Sequence, residues 1–173
     1  MRGFLLVLWK KLNFSKHFQL HVIRLFQDQF LVGVTGLIFN EKDEVLLFKH
    51  TYRQRAWSLP GGYMNQKEHP KEALVREIKE ESGFSVSIDW RMKVRTDRET
   101  ARLDIAYIGT YIGGAFVSSE EVSEARFCSL QNLPSIRRDQ LFLIESALRQ
   151  RRHFYSTSTK AEHIVERGQI AHL

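Results

Sequence analysis

Cysteine is nearly missing from these 173 residues. Cys128 stands alone, so no intramolecular disulfide can form, and that usage fits a reducing cytoplasm. Proline is scarce too, with three residues in all, and no stretch has the composition of an interdomain linker. No apolar run approaches the roughly 20 residues that a bilayer span requires. The candidate nearest the N-terminus, Gly3 to Trp9 after Arg2, runs straight into Lys10 and Lys11 where a leader would have small residues. It is expected to be neither a span nor a leader. Internal repeats are absent as well. These absences leave a single globular domain with a small extension, placed in the cytoplasm.

What is present suits a real core. Hydrophobic residues make up 43% and charged residues 27%, and twelve Phe, five Tyr and three Trp supply bulk. The formal net charge is +6, which favours an anionic partner: a nucleotide, RNA or an acidic membrane surface. Plain solubility is an equal explanation of that charge.

Periodicity then divides the chain. In residues 1–29 two apolar stripes recur at helical spacing: Leu5, Leu8, Trp9 and Leu12, then Phe18, Val22, Leu25, Phe26 and Phe30. Asn13 and Ser15 can separate them and cap the second. The segment reads as a helical hairpin that packs on the domain, with a homodimer contact or a membrane-surface helix as alternatives. From Phe30 to Phe39 and from Glu44 to His50 the chain reads as strands around a turn at 40–43. Leu59 to Gly62 reads as a loop. Pro70 to Ser82 is the clearest helix, Phe84 to Val94, Leu103 to Ile112 and Ala125 to Leu130 are strands, and a last helix follows Pro134. The polar tail from residue 154 to 173 is expected to be loosely ordered. This order implies an α/β layered domain with a mixed sheet, over residues 30–153.

The chemistry concentrates in Gly62 to Phe84, GYMNQKEHPKEALVREIKEESGF. Pro70 favours a first helical turn and Gly83 a left-handed stop. Between them Glu77, Glu80 and Glu81 stand at i, i+3 and i+4, within about 100° of helical arc. Leu74, Val75 and Ile78 occupy the neighbouring arc and can dock the helix on a sheet. Like charges so placed repel one another, more so beside a buried stripe, and a hard divalent cation with oxygen ligands relieves that repulsion. A solvated acidic face stitched by Lys71, Arg76 and Lys79 is the plain alternative for an EIKEE run alone. Arg76 beside Glu77, Glu68 six residues after Gly62, and Gly61-Gly62 ahead of the helix tip the balance.

Gly62, Glu68, Arg76, Glu77, Ile78, Glu80, Glu81 and Gly83 match the Nudix box of the Nudix hydrolases, whose pattern is Gly, five residues, Glu, seven residues, Arg-Glu-aliphatic-any-Glu-Glu-any-Gly-aliphatic. Phe84 departs mildly at the last position. A chance match is on the order of one in a billion per start position at average residue frequencies. The resemblance spans roughly residues 30 to 150, including Trp57 to Gly62 and the segment Ser119 to Phe127.

The resemblance implies an α/β/α sandwich, here with an N-terminal helical extension, and metal-dependent hydrolysis of a phosphoanhydride by activated water. It implies Mg2+, with Mn2+ as substitute, held by Glu77, Glu80 and Glu81 and the Gly61 carbonyl. Arg76 would orient Glu77, and Glu68 would support the loop or a bound water. Glu121, or next Glu120, would be the further carboxylate that ligates metal or acts as base. His69 stands where Ser or Thr is usual, so a weaker helix cap is expected. Arg53, Arg55 and Tyr52 are candidates for phosphate or base contact, and Tyr107 and Tyr111 for stacking. Ordinary surface and core roles compete for each of these five residues.

The substrate is a small nucleotide by default, of (d)NTP type. Sugar nucleotides, CDP-alcohols and a capped RNA end stay open. ADP-ribose is demoted because 96–100 carries no proline where such members often have one. A non-catalytic nucleotide- or RNA-binding module is the alternative to an enzyme, and three metal-facing glutamates weigh against it.

Overall fold

The structure, a computed structural model, describes residues 15–52 and 56–170, apart from the side chains of residues 17 and 155–170. The chain divides into two compact units, one up to Leu31 and one from Val32 onward. In the first, helix α1 (Lys16–Phe26) begins where Ser15 was expected to cap it, the Ser15 hydroxyl accepting the Phe18 N–H at 3.3 Å. The other helix expected in this segment, Leu5 to Leu12, lies outside the described residues.

The second unit holds a seven-stranded mixed sheet and two helices, arranged as an α/β/α sandwich. The strands are β1 (Leu31–Phe39), β2 (Val45–His50), β3 (Trp57–Ser58), β4 (Gly61–Tyr63), β5 (Ser85–Asp97), β6 (Arg102–Gly113) and β7 (Val122–Cys128). They lie in the order β3-β2-β1-β6-β5, with β4 pairing on β1 and β7 on β2. Helix α2 (Pro70–Ser82) and helix α3 (Arg138–Ile170) complete the unit.

Period-two alternation sends successive side chains to opposite faces, and here both faces are buried. Ile38, Leu46, Phe48 and Tyr107 pack with Leu74 and Ile78 of α2 on one face. Their chain neighbours Leu37, Phe39, Leu47 and Ile108 pack with Ile144, Ala147 and Leu148 of α3 on the other. Full burial of a Leu or Ile side chain stabilises by about 1.5–3 kcal/mol, so each helix is fixed to the sheet by a few such contacts. Arg151 ties α3 back to the β1–β2 turn, donating to Asp43 Oδ1 from Nε at 3.2 Å and Nη2 at 3.0 Å.

Two segments differ from expectation. The loop expected over Leu59 to Gly62 gives way at Gly61 to strand β4, antiparallel to β1 with Val34 opposite Gly62. Its two glycines carry no strand propensity of their own, so their pairing comes from the neighbouring strand. Helix α3 continues to Ile170, through the tail expected to be loose. Once a helix is nucleated each added residue costs little, and 154–170 contains no proline to stop it. Among the described residues no helix is long and apolar enough to cross a membrane.

Candidate active site

Helix α2 has the bounds expected of it. At its start the Lys71 N–H donates to His69 Nδ1 at 3.2 Å, and the His69 N–H donates to Glu72 Oε2 at 2.8 Å. His69 therefore caps, through its imidazole in place of a hydroxyl. At its end Gly83 takes φ 75, the left-handed conformation, and its N–H donates to the Lys79 carbonyl at 2.9 Å. Ala73, Leu74 and Ile78 are buried, which points the Glu77–Glu81 arc along the helix flank.

Arg76 organises that flank. Its Nη1 donates to Glu77 Oε1 and to Glu80 Oε2, each at 3.0 Å. Nε and Nη2 donate to the two oxygens of Glu68 at 3.1 and 2.9 Å, and Nη2 also reaches the Tyr63 carbonyl at 3.1 Å. Glu68 accepts the Asn65 N–H as well, which closes the loop between β4 and α2. The Arg76 bond, with that backbone bond, lowers the Glu68 pKa below its ordinary value. In return, Glu68 first, then Glu77 and Glu80, raise the Arg76 pKa against the opposing pull of burial, so the guanidinium stays charged.

The three box glutamates differ in exposure. Glu81 is buried, Glu77 largely covered with 18% of its side chain exposed, and Glu80 open at 60%. Glu77 lies against the backbone of Gly62, where an added Cβ would stand 2.5 and 2.6 Å from its carboxylate oxygens. Any side chain at position 62 would have to displace that carboxylate. Among the described residues no three acidic, His or Cys side chains are grouped so as to hold a metal ion, and Arg76 supplies the counter-charge between Glu77 and Glu80. The donors on offer are hard oxygens in a cradle that a Cβ would fill, and they fit a hard divalent cation.

The remaining candidates fall in different places. Gly61 is in β4 opposite Thr35. Glu121 is exposed just before β7, a strand that packs against α2. Its carbonyl accepts the Thr51 N–H at 3.0 Å and its Oε2 accepts Tyr52 Oη at 3.4 Å. Glu120 offers its carbonyl to Thr51 Oγ1 at 2.9 Å. Tyr107 is buried in the α2-side core, where burial raises its pKa, and Tyr111 packs edge-on to Phe84 and Phe127. Arg53 and Arg55 lie outside the described residues.

Sequence reasoning passed over a cavity of about 430 Å3 on the other side of the glycines. Gly61 and Gly62 line it, with Trp57, Tyr63, Arg102 and Arg137 among its walls. Gly62 thus touches both the Glu77 carboxylate and this cavity. The alternation Arg102-Leu103-Asp104 was the available signal, since it turns two charges to the face that Ala106 and Ile108 share with α3.

An α/β/α sandwich whose helix presents three glutamates beside a double-glycine strand defines a hydrolase class. The NUDIX domain model matches residues 29–150, and the chain belongs to that family: it is a Nudix hydrolase. It is 34% identical over 125 residues to the ADP-ribose pyrophosphatase of Methanocaldococcus jannaschii, covering 68% of this chain and 73% of that one. It is 31% identical over 126 residues to the human 8-oxo-dGDP phosphatase NUDT18, covering 68% of this chain and 39% of the relative. The solved ADP-ribose pyrophosphatase of Streptococcus suis shares 27% identity and a TM-score of 0.61, over 70% of this chain and 93% of that one.

Proposed function

We propose that the chain hydrolyses a phosphoanhydride bond in a nucleoside diphosphate-linked substrate, with Mg2+ held at Glu77, Glu80 and Glu81 and the Gly61 carbonyl. The single observation that carries this is the Glu77 carboxylate seated against Gly62, a glycine that also lines a cavity of about 430 Å3, a size that suits a nucleotide. Bound there, the cation would neutralise diphosphate charge and lower the pKa of water.

The chain's own residues do the rest. Without side chains, Gly61 leaves room for the Val34 carbonyl and Gly62 for the Glu77 carboxylate, which brings β4 against β1 and Glu77 against β4. Arg76 fixes Glu77 and Glu80 in position, and Glu68 fixes Arg76. Glu121, exposed just before β7, is the candidate to take the proton from the attacking water, with Glu120 as the alternative. Arg102 and Arg137 meet the part of the substrate that enters the cavity.

Two substrate classes fit this site. The (d)NTP type is the default from sequence. The likeness to an ADP-ribose pyrophosphatase over 68% of the chain favours a second, an ADP-ribose-type conjugate, and outweighs the missing proline that had demoted it. Nucleoside monophosphate formed with Mg2+ from dNTPs, 8-oxo-dGTP, ADP-ribose, sugar nucleotides and CDP-alcohols, resolved by chromatography, separates them. On the best substrate Glu80→Gln should keep the fold and lower turnover about a hundredfold or more. Near-normal turnover in that variant would refute the metal assignment, and binding without turnover in the native chain would favour a nucleotide-binding module.

A further inference from the structure

The α3 face of the sheet carries a concentration of charge that the carboxylate helix does not use. A second cavity, of about 220 Å3, shares Arg102, Asp104, Arg137 and Gln140 with the larger one and adds Lys93 and Arg95. Shared walls make the two one trough, which leads from Gly61 and Gly62 toward β5. Among the described residues its lining holds four cations, Lys93, Arg95, Arg102 and Arg137, against two carboxylates, Asp104 and Asp139.

The carboxylates are set between the guanidiniums. Asp104 Oδ2 accepts from Arg102 Nη2 at 2.7 Å and Nε at 3.1 Å, and from Arg95 Nη2 at 3.4 Å. Asp139 Oδ2 accepts from Arg95 Nη1 at 3.1 Å and Arg137 Nη2 at 3.0 Å. The result is a ladder, Arg102–Asp104–Arg95–Asp139–Arg137, that holds three planar groups in fixed places along one wall. Each guanidinium has five N–H donors, and each carboxylate has about four acceptor sites. Two carboxylates offer about eight sites for about fifteen donors, so the ladder orients the arginines and leaves donors for further partners, Tyr63 among them for Arg102. The first turn of α3 borders the same space through Asp139 and Gln140, and a helix start adds positive potential. Pre-oriented guanidiniums with surplus donors match a phosphate better than any neutral group.

We propose that this trough binds a second anionic group, so that the preferred substrate is a nucleotide conjugate bearing a phosphate or carboxylate beyond the scissile anhydride. The proposal rests on the hydrolase reading above and narrows its substrate class to conjugates with extra charge.

The test compares kcat/KM of the full chain with Mg2+ on matched pairs: ADP-ribose with its 2′-phosphate, and UDP-glucose with UDP-glucuronate. At least one pair should favour the more anionic member by about tenfold or more. In the Arg95→Gln, Arg137→Gln double variant that preference should fall to near unity. Ratios near one for both pairs, with Mg2+-dependent turnover intact, overturn the anion subsite and leave the hydrolase reading standing. If no anhydride is turned over, the hydrolase reading fails, and calorimetry with inorganic phosphate in EDTA decides the subsite alone. Uptake lost in the double variant supports the subsite, and no uptake by the native chain overturns it.

Discussion

Arg76 bonds three carboxylates and a backbone carbonyl at once, so Glu68, Glu77 and Glu80 are gathered around one guanidinium. The geometry around Glu77 separates stability from activity. In Gly62→Ala the new methyl would meet the end of a flexible side chain, which can swing aside, so the melting temperature should change little. The displaced Glu77 carboxylate should nonetheless lower turnover about tenfold or more. A variant with native turnover would show that this seat is not needed. Glu68 supplies a pH signature. Its pKa in the folded chain is held below the ordinary 4.5 by Arg76 and the Asn65 N–H, so its charged form stabilises the fold. That contribution is full above 4.5 and is lost as pH falls through the lowered value. The gap in melting temperature between native chain and Glu68→Gln should therefore be widest near neutral pH and close in acid. A gap that widened in acid would contradict the assignment.

At the scale of elements, α2 was legible because its signals are local: Pro70, an i, i+3, i+4 arc, and Gly83 as its stop. Gly83 takes φ 75, and a Cβ there would stand 2.9 Å from the Ala115 carbonyl oxygen. Gly83→Ala should cost about 1–2 kcal/mol in denaturant unfolding, and a loss near zero would mean the cap is dispensable. Strand β4 was not legible, because Gly-Gly-Tyr becomes strand only through β1, roughly thirty residues earlier. The end of α3 was missed for the opposite reason. Polar composition between 154 and 170 argued for disorder, whereas continuation of a helix already nucleated needs no apolar stripe.

For the whole molecule, the sheet brings two kinds of charge to opposite sides of one pair of glycines. The carboxylates come from a single helix and could be read from thirteen consecutive residues. The cations come from β5, β6 and the start of α3, and only register unites them, with Arg95 opposite Asp104 and Asp97 opposite Arg102. The local motif therefore reveals the carboxylates proposed to hold metal, and the cations proposed to meet the substrate come together only in the folded sheet. The proposed hydrolysis depends on the α2 glutamates holding divalent cations beside the glycines. Titration of Mn2+ into the chain with a non-hydrolysable nucleotide diphosphate analogue, followed by calorimetry, tests it most directly. Saturable uptake in the native chain, weakened about tenfold or more in Glu77→Gln, is the predicted result. Equal uptake in both proteins, or none in either, would contradict it.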